Sequence, residues 1–80
     1  MTPADLAHQV ITQVMLRGSA KEGSDDSWRS KPDGYHLHKA LRHAITFKMI
    51  RDGHQTGDDE KHLWLAITRM AMALAQAETT

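Results

Sequence analysis

The chain contains no cysteine, which excludes disulfides and thiolate metal sites together and fits a reducing compartment. It carries no excess of either charge, because ten basic and ten acidic side chains cancel. A neutral chain lacks the basic footprint of a protein that tracks nucleic-acid phosphates. It also lacks the polybasic cluster that draws proteins to anionic membranes. No apolar run approaches the roughly 20 residues that span a bilayer. Met1-Thr2-Pro3-Ala4-Asp5 shows no basic region followed by an apolar stretch, so no signal peptide is read. The expectation is a single cytoplasmic domain with no membrane partner and no extended nucleic-acid partner.

At 80 residues the chain buries only about two thirds of its unfolded surface, so stability is marginal without help. With disulfides excluded, the remaining aids are self-association or a carboxylate and imidazole metal site. Three helical patterns stand out and no strand does. The first opens at Thr2-Pro3-Ala4-Asp5, with a capping residue, a proline suited to the first helical position, and an acid at the positive end of the dipole. Leu6, Val10, Ile11 and Val14 repeat at helical spacing, and Gly18 reads as the stop. Residues 18–33 are polar, bear glycine and contain Pro32, and read as a long connection.

Asp33-Gly34 opens the second helix, where Leu37, Ala40, Leu41, Ala44 and Phe47 fall on one side, and Arg51-Asp52-Gly53 closes it. Asp58-Asp59-Glu60 then places three acids at the start of the third helix. Leu63, Ile67, Met70 and Leu74 follow at steps of four and three, a coiled-coil-like seam, while Trp64, Leu65 and Met72 lie off it. A helix apolar on more than one side has more than one partner. The predicted fold is all-α, with helices over about residues 3–17, 34–52 and 58–77, a long loop between the first two, and a helical homo-oligomer.

Several polar residues offer chemistry, each beside a plainer role. Asp58, Asp59 and Glu60 suit Mg²⁺ or Mn²⁺, with substrate phosphates completing the shell, or simply stabilise the helix start. His62 lies one turn after Asp58, so the two share a face. His36, His38, His43 and His62 offer imidazoles for Zn²⁺, or are surface and hydrogen-bonded side chains. Arg42 suits a phosphate clamp or an ion pair with a nearby acid. Lys21 lies in a glycine-flanked segment that does not match the phosphate-cradling loop motif. Trp28, in a polar stretch, either stacks on a base or plugs the loop onto the core. Met15, Met49, Met70 and Met72 read as adaptable core filling. No serine sits in a nucleophile elbow, which argues against covalent catalysis.

In order and spacing, Gly18-Ser19-Ala20-Lys21-Glu22-Gly23, Trp28, Ala40-Leu41-Arg42-His43, Asp58-Asp59-Glu60 and His62-Leu63 with Ala66 resemble the helical domain of phage dATP/dGTP diphosphohydrolases. The resemblance runs from about Leu6 to Leu74. It implies metal-assisted hydrolysis of deoxynucleoside triphosphates to monophosphate and pyrophosphate in the host cytoplasm. It further implies that Asp58, Glu60 and His62 hold Mg²⁺ or Mn²⁺, that Glu60 and His43 serve catalysis, and that Lys21, Trp28 and Arg42 bind substrate. The chain departs from the family pattern at Arg17 and Glu22, which replace tyrosines, and at Glu60-Lys61-His62, which lacks the Ser and Gly. Those departures motivate an alternative: a non-catalytic phage anti-defence protein on the same scaffold. Such a protein would bind a nucleotide or a host protein, as anti-CRISPR proteins do.

Overall fold

A computed structural model describes residues 1–22 and 27–79, with the backbone alone at residues 19–22 and 79. It contains three α-helices, α1 (Pro3–Glu22), α2 (Tyr35–Arg51) and α3 (Asp59–Thr79), and a short 3-10 helix at Ser27–Ser30. No strand occurs among the described residues. Among those residues, no helix is long and apolar enough to cross a membrane.

Helix α1 begins with a reciprocal cap. The Asp5 backbone N–H donates to Thr2 Oγ1 at 3.1 Å, and the Thr2 backbone N–H donates to Asp5 Oδ2 at 3.4 Å. Each side chain thereby satisfies a backbone donor that the first helical turn leaves without a partner. The helix does not stop at Gly18 but runs on to Glu22. A glycine ends a helix by taking positive φ. Among the described residues only Gly34, Gly53 and Gly57 do so. Gly18 stays helical at the modest cost of its backbone entropy. The connection expected over residues 18–33 is therefore shorter, and its described part folds into the 3-10 helix.

Helix α2 ends in a complete Schellman motif. The Gly53 N–H donates to the Ile50 carbonyl at 3.1 Å, and the His54 N–H to the Met49 carbonyl at 2.9 Å. Gly53 sits at φ 81°, a conformation that L side chains adopt only with strain. Helix α3 is capped by Asp58, whose Oδ1 accepts the Lys61 backbone N–H at 3.2 Å. Across the turn, Arg51 Nε and Asp59 Oδ2 form an ion pair at 2.6 Å, which ties the end of α2 to the start of α3.

Helix α3 is central and packs against both neighbours, more extensively against α2. Among the described residues the buried apolar side chains are few: Val10, Ala40 and Ala66. Two of these are alanines, one on α2 and one on α3, and small side chains allow helix backbones to approach closely. Thr68 is also buried, and its hydroxyl donates to the Trp64 carbonyl at 2.9 Å. No buried side-chain nitrogen or oxygen lacks a partner among the described residues, as a well-packed interior requires.

Replacing Gly53 by Ala forces a β-carbon into the left-handed region. Nothing lies within 4 Å of that β-carbon, so the cost comes from the backbone alone. The variant should lose about 1–2 kcal/mol in urea unfolding followed by circular dichroism, whereas unchanged stability would mean the turn is not held as described.

Candidate functional site

The polar centre of the molecule is a buried imidazole. His36, in the first turn of α2, is completely inaccessible to solvent. Arg69, on α3, approaches its Nδ1 at 3.0 Å. A guanidinium can only donate, so Nδ1 accepts, and the ring proton lies on Nε2. That N–H donates to the Trp28 carbonyl at 2.8 Å. Gln76, near the end of α3, donates to the same carbonyl and to that of Lys31, both at 3.2 Å. The 3-10 helix is thus fastened to α2 and α3 through its backbone, and Trp28 is half-buried against His36 at 6.3 Å between ring centroids. Arg29 lies over the indole at 4.8 Å. Because both nitrogens of His36 are committed, it is not available as a metal ligand, which removes one of the four imidazoles considered for zinc.

Two turns further along α2, His43 meets His62 of α3. Their Nδ1 atoms share a hydrogen bond at 3.1 Å, with ring centroids 5.3 Å apart. With both rings neutral, one must donate through Nδ1–H and the other accept, so the pair holds complementary tautomers. Burial pushes the His43 pKa below its ordinary 6.5, and the nearby charges of His62, Arg69, Lys39 and Arg42 push it down further. Every charged neighbour acting on His43 disfavours a second positive charge there.

The surroundings are cationic. Helix α2, YHLHKALRHAITFKMIR, contains no acid. Tyr35 has three cations over or beside its ring: Lys31 at 5.4 Å, Lys39 at 5.6 Å and Arg69 at 5.6 Å. Although the chain is neutral overall, Arg69, Lys39 and Arg42 all lie near enough to His43 to lower its pKa, so the α2–α3 face around the pair is cationic. Such a face suits the charge and oxygen acceptors of a phosphoanion.

Among the residues singled out in the sequence, His43, His62 and Arg42 lie on this face. Trp28 lies beyond its far end, at the level of His36, about 10 Å along α2 from His43. The Lys21 side chain lies outside the described residues. Asp58 serves as the cap of α3, and Asp59 as the partner of Arg51. Glu60 is exposed and lines a groove with Leu6, Leu63 and Trp64, away from His62. The reason is geometric: residues two apart on a helix point about 200° apart, so Glu60 and His62 cannot share a ligand. Among the described residues, no group of three or more His, Cys, Asp or Glu converges as a metal-binding set. Arg69, which the sequence reading passed over, lies 33 residues from His36, and no local pattern links the two.

No protein-family model, curated protein or solved structure matches the chain.

Lowering the pH tests the electrostatics of the pair. A lowered folded-state pKa means that His43 binds its proton less readily in the native protein than in the unfolded chain. Its contribution to stability is therefore complete above pH 6.5 and is lost as the pH falls through the folded-state value. The urea midpoint should drop below pH 6.5, and His43→Gln should flatten that drop. A midpoint that rises on acidification would contradict the assignment.

Proposed function

We propose that the α2–α3 face binds the phosphates of a (deoxy)nucleoside triphosphate, and that the protein hydrolyses this substrate to monophosphate and pyrophosphate. The observation that carries the proposal is the His43–His62 pair, whose Nδ1 atoms meet at 3.1 Å and whose His43 is within the electrostatic reach of Arg69, Lys39 and Arg42. Arg42 is exposed beside His43 and can fork onto two phosphate oxygens. Lys39 and Arg69 add charge from the α2 and α3 sides, and Trp28 offers an aromatic edge for the base.

In this reading water attacks the α-phosphorus, a new P–O bond forms, and the bond to the β-phosphate bridging oxygen breaks. With His43 donating through Nδ1–H to His62, its Nε2 carries the lone pair that accepts the water proton. Its lowered pKa keeps it neutral and competent as a base near pH 7. Mg²⁺ or Mn²⁺ belongs to the proposal as a counter-ion to the triphosphate, most of its shell being phosphate oxygen and water. Asp58, four residues before His62, is the carboxylate assigned to it in this reading. Glu60 lines the groove with Leu6 and Leu63 instead.

A second reading has its own support. Asp58 and Asp59 already have structural work as cap and ion-pair partner, and no three-ligand metal set is present among the described residues. A non-catalytic phage anti-defence protein would use the same cationic face to sequester a nucleotide or engage an acidic host protein.

The test is a panel of dNTPs and NTPs with Mg²⁺ or Mn²⁺, separated by ion exchange, with calorimetric titration of inorganic triphosphate in parallel. The proposal expects monophosphate and pyrophosphate in equal amounts. It also expects kcat to fall by about 10²–10⁴ in His43→Gln and binding to weaken in Arg42→Ala. Retained turnover in Glu60→Gln would release that residue from the mechanism. Binding without product would favour the second reading, and no triphosphate binding would remove the phosphate site from both.

A further inference from the structure

The strongest helix-pairing pattern in the chain is only partly used inside it. Leu63, Ile67, Met70 and Leu74 form the heptad-spaced seam of α3, yet Leu63, Met70 and Leu74 are 37%, 48% and 63% exposed. Helix α3 also meets its neighbours through residues off that seam: Ala66 and Thr68 are buried, and Trp64, Leu65 and Met72 are half-buried. In its first half the seam, at Leu63 and Ile67, lines a groove of about 410 Å³ with Leu6 and Val10 of α1 and Phe47 of α2, together with the charged Arg51 and Glu60.

We infer that the seam face of α3 is covered by the same face of a second copy, with α1 and α3 of each protomer forming a four-helix dimer core. The heptad spacing calls for another helix lying at a shallow crossing angle. The charge pattern calls for a copy of itself. Between Lys61 and Glu78, α3 carries one charged side chain, Arg69, and that one is turned to His36. The positions flanking the exposed second half of the seam include Ala71 and Ala73, so two copies meet there without like charges and with small residues that permit close approach.

The competing apolar row fails this criterion. Leu37, Leu41, Ile45 and Met49 are also exposed on α2, but Arg42 and Lys48 stand beside them and the helix has no acid. A second α2 there would set cation against cation. Size also fits. A 21-residue helix is about 31 Å long and about 11 Å wide. Together with the adjoining α1 it offers a face of roughly 700 Å², near the ~800 Å² per partner of a standard interface. The dimer does not depend on the phosphate reading.

The test is sedimentation velocity of the full chain over a concentration series, supported by native mass spectrometry. The expected species is a dimer of the 9.0 kDa chain. Met70→Glu should weaken it by about tenfold or more while helicity is retained, and Ile45→Glu should leave it intact. If Met70→Glu fails to fold, Leu74→Glu, at the most exposed seam position, is held to the same criterion. A monomer at all concentrations, alone or carrying an apolar small molecule in the groove, overturns the inference. An oligomer dissociated by Ile45→Glu but not by the seam variants overturns it as well.

Discussion

The relay from Arg69 through His36 to the Trp28 carbonyl is the interaction on which the rest of this small fold depends. A buried polar group is costly unless its hydrogen bonds are made, and here one completely buried ring satisfies two groups from distant segments. An imidazole suits the position because it accepts on one edge and donates on the other, in a fixed plane. The guanidinium of Arg69 reaches it from α3, and the carbonyl it serves belongs to the 3-10 helix. Gln76 adds a second clamp on that carbonyl. With only Val10, Ala40 and Ala66 as buried apolar side chains among the described residues, polar fastening carries an unusual share of the specificity. It fixes where the segment after α1 docks and which way Arg69 points.

That fixed Arg69 has an electrostatic consequence. It stands at the junction of Tyr35, His36 and the His43–His62 pair, so its charge is shared between a structural bridge and a polar surface. A neutral chain can still present a strongly positive face when its acids are segregated. Here Asp5, Asp58 and Asp59 serve helix starts and the inter-helix ion pair, while α2 carries cations alone. The acids stabilise helix geometry and the cations accumulate where α2 faces α3. The same segregation leaves the middle of α3 nearly free of charge, which suits an apolar contact on its opposite side.

Much of the helical architecture was legible because its signals are local. Thr2-Pro3-Ala4-Asp5 announces a helix start within four residues, and Arg51-Asp52-Gly53 an end within three. Gly18 misled because a glycine halts a helix only when the chain after it takes up the positive φ, and Ser19-Ala20-Lys21-Glu22 does not demand that. The seam on α3 was visible as a pattern, but periodicity alone does not say whether the partner helix lies in the same chain. In the site, His43, His62 and Arg42 stood out as residue types suited to phosphate chemistry. Their meeting across two helices, and the separation of Glu60 from His62 around α3, required the packing. Arg69 and the role of His36 were illegible, because a contact spanning 33 residues has no short-range signature.

The most direct test reads the histidine ring nitrogens by ¹⁵N-correlated NMR, before and after addition of inorganic triphosphate. The structure predicts a His36 locked with its proton on Nε2 throughout, and a paired His43 and His62 whose resonances move as the phosphoanion binds beside them. A His36 that carries its proton on Nδ1 or averages between tautomers would contradict the relay. A His43 and His62 indifferent to triphosphate would contradict the site built on it.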